Sequence, residues 1–274
     1  MTAEIPQVRA ASAGSPRTRR RGFAHAIVAL AAGLAAAPFA ASAAAAPTLA
    51  AGPPWFANEV GAAQQVVAVT GQASGQAAVE VWGKYNQLWW SMTGPIAGHI
   101  GSAGVADQAS EDVPATPAGV FSLPWAFGTE AQPRTSLPFH RTGPNDWWVA
   151  DVSSPLYNQF YTCAPGSCPF NEQKSERLDV DAYALAVVIG VNPQHAPGAG
   201  SAYFLHLDGD GPTQGCVAIG EPDLRSLITW LKPGAVMAVR RGVAPGAGRD
   251  PVSLPCRTGC DRLTRGAASL TIPV

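Results

Sequence analysis

Residues 203–219 read Tyr203-Phe204-Leu205-His206-Leu207-Asp208-Gly209-Asp210-Gly211-Pro212-Thr213-Gln214-Gly215-Cys216-Val217-Ala218-Ile219. The two ends are short and apolar, and the middle is built from Gly, Asp and Pro, which favour turns. The stretch therefore predicts a strand, a loop and a second strand. Alternation along Ser201–Leu207 places Ala202, Phe204 and His206 on one face of the first strand. Cys216 enters the second. A separation of ten residues lets the chain fold back and bring the imidazole near the sulfur.

Working outward, other short runs carry the same signal. Gln65–Thr70 is rich in Val. Ala77–Lys84 carries Val79 and Val81 on one side of a period-two pattern, and Gln87–Met92 holds Trp89 and Trp90. Trp147–Val152 and Ala235–Arg241 are further strand candidates. Tyr183–Val191 is an almost unbroken apolar run of strand length, which predicts burial on both faces. One helix is expected: Leu224, Leu227, Ile228 and Leu231 follow the i, i+3, i+4, i+7 pattern, Pro222 suits the first helical position, and Pro233-Gly234 ends the segment. The 29 Gly and 25 Pro among 274 residues suit a loop-rich, mainly β domain. An apolar content of 47% is enough for a sizeable core, in one large domain or two small ones.

The ends read differently. Residues 1–46 have the layout of an export signal. A basic cluster (Arg17, Arg19, Arg20, Arg21) precedes an apolar run from Phe23 to Phe39, and Ala41-Ser42-Ala43 and Ala43-Ala44-Ala45 both fit a cleavage site. Arg20-Arg21-Gly22-Phe23 is similar to a twin-arginine signal, with ordinary secretion as the alternative. An uncleaved anchor making transient membrane contact is the other reading. Residues 47–63, broken by Gly52-Pro53-Pro54, read as a linker, and 243–274 as a Gly-, Pro- and Ala-rich tail. Without residues 1–46 the formal net charge is −5 and no basic run remains, which argues against nucleic acid as a partner.

There are five cysteines, all after the signal. Cys163 and Cys168 enclose Ala-Pro-Gly-Ser, and Cys256 and Cys260 enclose Arg-Thr-Gly. In an exported chain these predict two small disulfide loops, with a zinc site built from the four as the rival. Cys216 is left over, either buried and inert or kept for chemistry.

The chemistry would need both residues of the opening stretch. A thiol becomes a nucleophile on losing its proton, and a neighbouring imidazole can take it. Gly215 lets the backbone turn tightly, and the N–H groups of Gly215 and Cys216 are candidates for stabilising an oxyanion. Taken alone, a strand His is more often a satisfied polar residue and a single Cys a small core residue. His206-Leu207-Asp208-Gly209-Asp210 also invites a metal reading, but it lacks the spacing of a calcium loop.

The block Thr213-Gln214-Gly215-Cys216, with His206 before it, resembles the active-site motif of L,D-transpeptidase catalytic domains. Ala115-Thr116-Pro117-Ala118-Gly119-Val120-Phe121 is similar to that family's Thr-Pro-x-Gly-x-Phe strand entry. Tyr157-Asn158, Ser175-Glu176-Arg177-Leu178 and Val188-Ile189-Gly190-Val191-Asn192 resemble a secreted, actinobacterial-like branch. The resemblance covers about residues 64–241, hence a catalytic domain at 64–242. Gln214 stands where many members have His, and Ala218 where many have Arg. The His–Cys spacing is shorter than in the best-known members.

The resemblance implies a curved β-sandwich or barrel-like fold with a few short helices, acting on peptidoglycan stem peptides in the periplasm or cell wall. Cys216 would be the nucleophile and His206 the base and acid. Gly215 would supply an oxyanion N–H, with Gln214 as an orienting donor and Thr213 beside them. No metal or organic cofactor is implied, and a monomer is expected. A carboxypeptidase or cysteine amidase that hydrolyses the thioester, and a non-catalytic wall-binding module of the same fold, are the alternatives. Among other residues, Glu176 is a candidate for holding a substrate amine, against a surface charge or helix cap. His99 and His140 read as solvated loop residues. Trp125, Trp147 and Trp148 are candidates for a glycan or peptide groove, with core packing the expected role of at least two.

Overall fold

In the computed structural model, which describes residues 46–209 and 211–242, the chain opens with β1 (Thr48–Leu49), β2 (Gln65–Gly71), β3 (Gln76–Tyr85), β4 (Leu88–Ser91) and β5 (Ile96–His99). It continues through β6 (Val105–Ala106), β7 (Thr116–Pro117), β8 (Gly119–Ser122), β9 (Ala126–Gly128), β10 (Phe139–Arg141), β11 (Asp146–Trp148), β12 (Phe160–Thr162) and β13 (Glu176–Arg177). It ends with β14 (Ala186–Val188), β15 (Phe204–Leu207), β16 (Val217–Ile219), the helix α1 (Glu221–Trp230) and β17 (Val236–Arg241). The architecture is mainly β, as the sequence predicts: a curled, mixed sheet of twelve strands with one short helix and a few 3-10 turns. Its main path runs β10-β9-β14-β15-β16-β5-β3-β2-β17-β8, with β4 on β3 and β1 on β4. A second, three-stranded sheet, β12-β11-β13, is not hydrogen-bonded to it.

Side-chain alternation divides this sheet into an inner and an outer face. Val67 and Val69 of β2, Val79 and Val81 of β3, Leu205 of β15, Val217 and Ile219 of β16, and Met237 of β17 all enter one core. Leu224, Leu227 and Ile228 of α1 close it. The apolar stripe of α1 is the one the periodicity predicts, and Glu221 and Asp223 in its first turn complement the helix dipole. The outer face carries two further clusters. Val66, Ala68 and Ala238 pack with Phe56, Val60 and Trp89. Ala186, Val188, Phe204 and Cys216 pack with Trp148, Leu178 and Tyr183.

Several elements differ from the sequence prediction. Residues 47–63 are not a linker: β1 pairs with β4, and Phe56 is fully buried between Trp82 and Trp89. The physical reason is that β2 is apolar on both faces, so its outer face also needs cover. Gln87, expected to open a strand, instead forms a two-residue hairpin loop with Asn86: both have positive φ (63° and 50°), as such a loop requires, and the strand begins at Leu88. Trp147–Val152 is a strand only over Asp146–Trp148, and Tyr183–Val191 only over Ala186–Val188. The export signal, the tail at 243–274 and the Cys256/Cys260 loop lie outside the described residues. Among the described residues no helix is long and apolar enough to cross a membrane.

Candidate active site

The turn that delivers Cys216 is tied at both ends. Thr213 N–H donates to Ile100 O at 2.9 Å. Thr213 Oγ1 donates to Cys216 O at 2.6 Å and accepts from Gly215 N–H at 3.0 Å. Gly215 has a φ of +148°, and a Cβ there would lie 2.8 Å from Tyr203 Cε1 and 3.1 Å from Ala115 O. Only glycine fits both the conformation and the space. Across the turn, the buried Thr116 Oγ1 donates to Gly215 O at 2.8 Å and accepts from Gly101 N–H at 3.0 Å. Thr116 of the Thr-Pro stretch therefore holds the carbonyl beside the cysteine, which gives that distant stretch a local reason. The Gly215 N–H, expected to serve an oxyanion, donates to Thr213 Oγ1 within the turn. Gln214 is exposed at the lip.

Cys216 is buried and is the one free cysteine among the described residues. Its Sγ accepts from Phe204 N–H at 3.3 Å and donates to Ala202 O at 3.4 Å. Burial, with a smaller contribution from the charge of Glu176, pushes its pKa up to about 12, against the Phe204 N–H. The resting group is therefore a neutral thiol.

Register puts His206 opposite Ala218 in the parallel pair β15–β16, with Leu205 opposite Val217. Phe204 and Cys216 therefore fall on the same face as His206. Its Nδ1 is 2.7 Å from Leu207 O. A carbonyl only accepts, so Nδ1 carries the proton and Nε2 keeps the lone pair of a base. Burial holds the His206 pKa below the ordinary value, against the Leu207 carbonyl and the charge of Asp208. No hydrogen bond joins His206 to Cys216 among the described contacts.

Cys216 and Gly215 line a cavity of about 190 Å³ together with Glu111, Asp112, Glu176, Tyr203 and the exposed Gln214. The phenols orient the carboxylates. Tyr157 Oη donates to Glu111 Oε1, and Tyr183 Oη to Glu176 Oε2 at 2.6 Å. The Tyr183 ring also meets the His206 ring edge to face, with centroids 5.4 Å apart. Burial raises the pKa of Glu176, against the Tyr183 hydrogen bond and with the charge of Glu111. Beside the cavity Asn158, at a φ of +55°, accepts from Trp148 Nε1 at 2.8 Å and donates to Val191 O and Asn192 O at 3.1 and 3.0 Å. Glu176 and the turn at Gln214–Cys216 thus line one hollow, with Tyr157 and Asn158 bonded to its walls. Sequence reasoning singled out Glu176 there but missed Glu111, Tyr183 and Ser201. They are spread over residues 111–201, and no local pattern links them.

Other expectations are corrected in part and met in part. His99 and His140 are not loop residues: they sit on β5 and β10 and are paired with carboxylates, His99 Nδ1 with Asp208 Oδ1 at 2.8 Å and His140 Nε2 with Asp146 Oδ2 at 3.1 Å; the His140 side chain is, as expected, open to solvent. Trp147 and Trp148 are buried in packing, while Trp125 lines a separate surface cavity with Phe139, His140 and Phe160. Cys163 and Cys168 form a disulfide, so neither thiolate is free for a metal. No cluster of three His, Cys, Asp or Glu able to hold a metal occurs among the described residues. No model of a known protein family matches the chain, and no similar curated protein or solved structure was found.

Proposed function

We propose that this chain is an exported cysteine acyltransferase of the L,D-transpeptidase kind, acting on peptidoglycan stem peptides as a monomer. The observation that carries the reading is the placement of Cys216: a free thiol at the end of a polar cavity, on the same sheet face as a histidine whose Nε2 is a base. Cys216 Sγ attacks the carbonyl of the peptide bond that precedes a terminal D-Ala. His206 Nε2 takes the thiol proton and returns it to the departing D-Ala amine, leaving a thioester on Cys216. A side-chain amine of a second stem then attacks the thioester, giving a cross-link and restoring the thiol; water in its place gives hydrolysis. Because the thiol is held near 12 and the imidazole below its ordinary value, a standing thiolate–imidazolium pair is unfavourable. Proton transfer therefore accompanies formation of the S–C bond. With the Gly215 hydrogen engaged, the Cys216 amide and the Gln214 side chain are the donors assigned to the developing oxyanion.

A second reading has its own observation. Sγ is directed inward, to Ala202 O and Phe204 N–H within an aromatic cluster. That favours a structural thiol in a non-catalytic wall-binding module. Purified muropeptides, incubated with wild type and Cys216→Ala side by side, separate the readings. Loss of D-Ala with a cross-linked dimer, absent in the variant, supports transfer. Loss of D-Ala without a dimer supports the hydrolase. Turnover by neither protein, with no adduct on Cys216 by intact mass after carbapenem, refutes the enzyme.

A further inference from the structure

We infer that the sheet corner formed by β1, β4 and the end of β3 is a contact surface for a lipid bilayer, in addition to the apolar run at 23–39. The inference stands apart from the proposed acyl transfer and holds for whatever Cys216 does. Leu49, Tyr85 and Leu88 are the three most exposed large apolar side chains among the described residues, at 49%, 50% and 51%. Register puts them on one face together with Trp90. Tyr85 lies opposite Leu88, Gly83 opposite Trp90, and Trp90 opposite Leu49. Residues opposite one another, or two apart on one strand, share a face. The Tyr85 ring lies over Gly83, where a Cβ would meet its Cε2 at 2.7 Å.

The same face of β3 carries Val79 and Val81 into the core. It runs on past Val81, whose carbonyl accepts from Met92 N–H at 2.8 Å, and Met92 packs against that core. Beyond them the face is open. Pro47, Tyr85, Leu88, Trp90 and Met92 border a hollow of about 410 Å³ there. Single exposed leucines are ordinary, but a contiguous apolar face that continues the core marks a contact.

The place where the chain enters selects lipid as the occupant. Pro47 lines the hollow and Leu49 belongs to the face. Only residues 40–46 separate Pro47 from the apolar run at 23–39, a reach of at most about 30 Å at full stretch. While that run lies in a bilayer, this corner is the part of the domain tied to the bilayer surface. A second copy is disfavoured by area. Leu49, Tyr85, Leu88 and the half-buried Trp90 offer roughly 350 Å². Each partner of a stable dimer buries about 800 Å². A bilayer contact has no such threshold, because the tethering run supplies the rest of the affinity. The residue types agree, since Tyr and Trp suit the headgroup level with an apolar ring and a polar tip. Lys84 is the only charged residue within 46–58 and 82–95, so no carboxylate of these segments opposes an anionic surface.

The test uses the full chain labelled with fluorotryptophan, in nanodiscs of phosphatidylcholine and phosphatidylglycerol, with and without a lipid spin-labelled near its headgroup. The Trp90 fluorine line is assigned by its loss in Trp90→Phe. The spin label is expected to broaden the Trp90 line more than that of Trp125, which lines the separate surface cavity with Phe139 and Phe160. Leu49→Gln with Leu88→Gln is expected to remove most of that excess while the chain stays on the nanodisc. Burying the exposed half of both leucines is worth about ten-fold in the ratio of docked to undocked corner. Both sites are half exposed, so the fold is expected to survive, with an unchanged urea midpoint as the check; Leu88→Gln alone repeats the comparison if the pair unfolds. A Trp90 line broadened no more than that of Trp125, or broadened equally in the leucine variants, overturns the inference. So does a full chain that does not associate with the nanodiscs. A lipid-free dimer in sedimentation velocity that the leucine variants dissolve also overturns it, and assigns the face to a second copy.

Discussion

Replacing Thr116 by Val tests whether the cysteine turn depends on a single distant hydroxyl. Thr116 is 2% exposed, and its hydroxyl serves two buried backbone groups, Gly215 O at 2.8 Å and Gly101 N–H at 3.0 Å. Valine has nearly the same shape, so the perturbation is polar and leaves no large cavity. Each orphaned buried group costs about 1–3 kcal/mol. The added methyl returns about 0.8 kcal/mol. The net loss is expected to be about 3 kcal/mol, read from urea unfolding followed by tryptophan fluorescence. Thr116→Ser keeps the hydroxyl and loses one methyl, so it should cost about 1 kcal/mol. Cys216 should also alkylate faster in the valine variant, because the released Gly215 carbonyl loosens the turn that shields it. A valine variant within about 0.5 kcal/mol of wild type, or a serine variant less stable than it, would refute the reasoning.

Three further outcomes are expected. Phe56→Ala should destabilise the chain by about 3–5 kcal/mol in the same unfolding assay, because Phe56 is fully buried against Trp82 and Trp89; a change under about 1 kcal/mol would return residues 47–63 to a linker. Alkylation of Cys216 by iodoacetamide should stay slow at neutral pH and rise about ten-fold per pH unit up to pH 10, since burial holds the folded thiol near 12. The same shift makes stability fall as pH climbs from the ordinary 9.0 toward 12, because there the unfolded thiol ionises while the folded one does not. A rate plateau below pH 9 would show an activated thiolate instead.

Much of the scaffold was written in local pattern. Val66 to Val69, Val79 and Val81 announced β2 and β3, and the leucine spacing announced α1, because a period of two or of 3.6 is a property of neighbouring residues. The Cys163–Cys168 loop was readable for the same reason. Residues 47–63 were misread because Gly52-Pro53-Pro54 looks like a linker from within. What made that segment part of the domain is the outer face of β2, β3 and β17, which are joined in register only by tertiary pairing. The one sequence clue was β2 itself, apolar on both faces and so needing cover on both.

By itself, the sequence determined a mainly β chain, an unpaired Cys216, and a histidine on the strand before it. Those follow from composition, alternation and cysteine count, which act over a few residues. The tertiary structure alone decided that Thr116 would hold the Gly215 carbonyl, across 99 residues of chain. It also decided that Glu111, Glu176 and Ser201 would share a hollow with the sulfur. Those depend on which strands lie side by side, and burial then sets the charge states: a thiol and an imidazole both held neutral, beside carboxylates oriented by phenols.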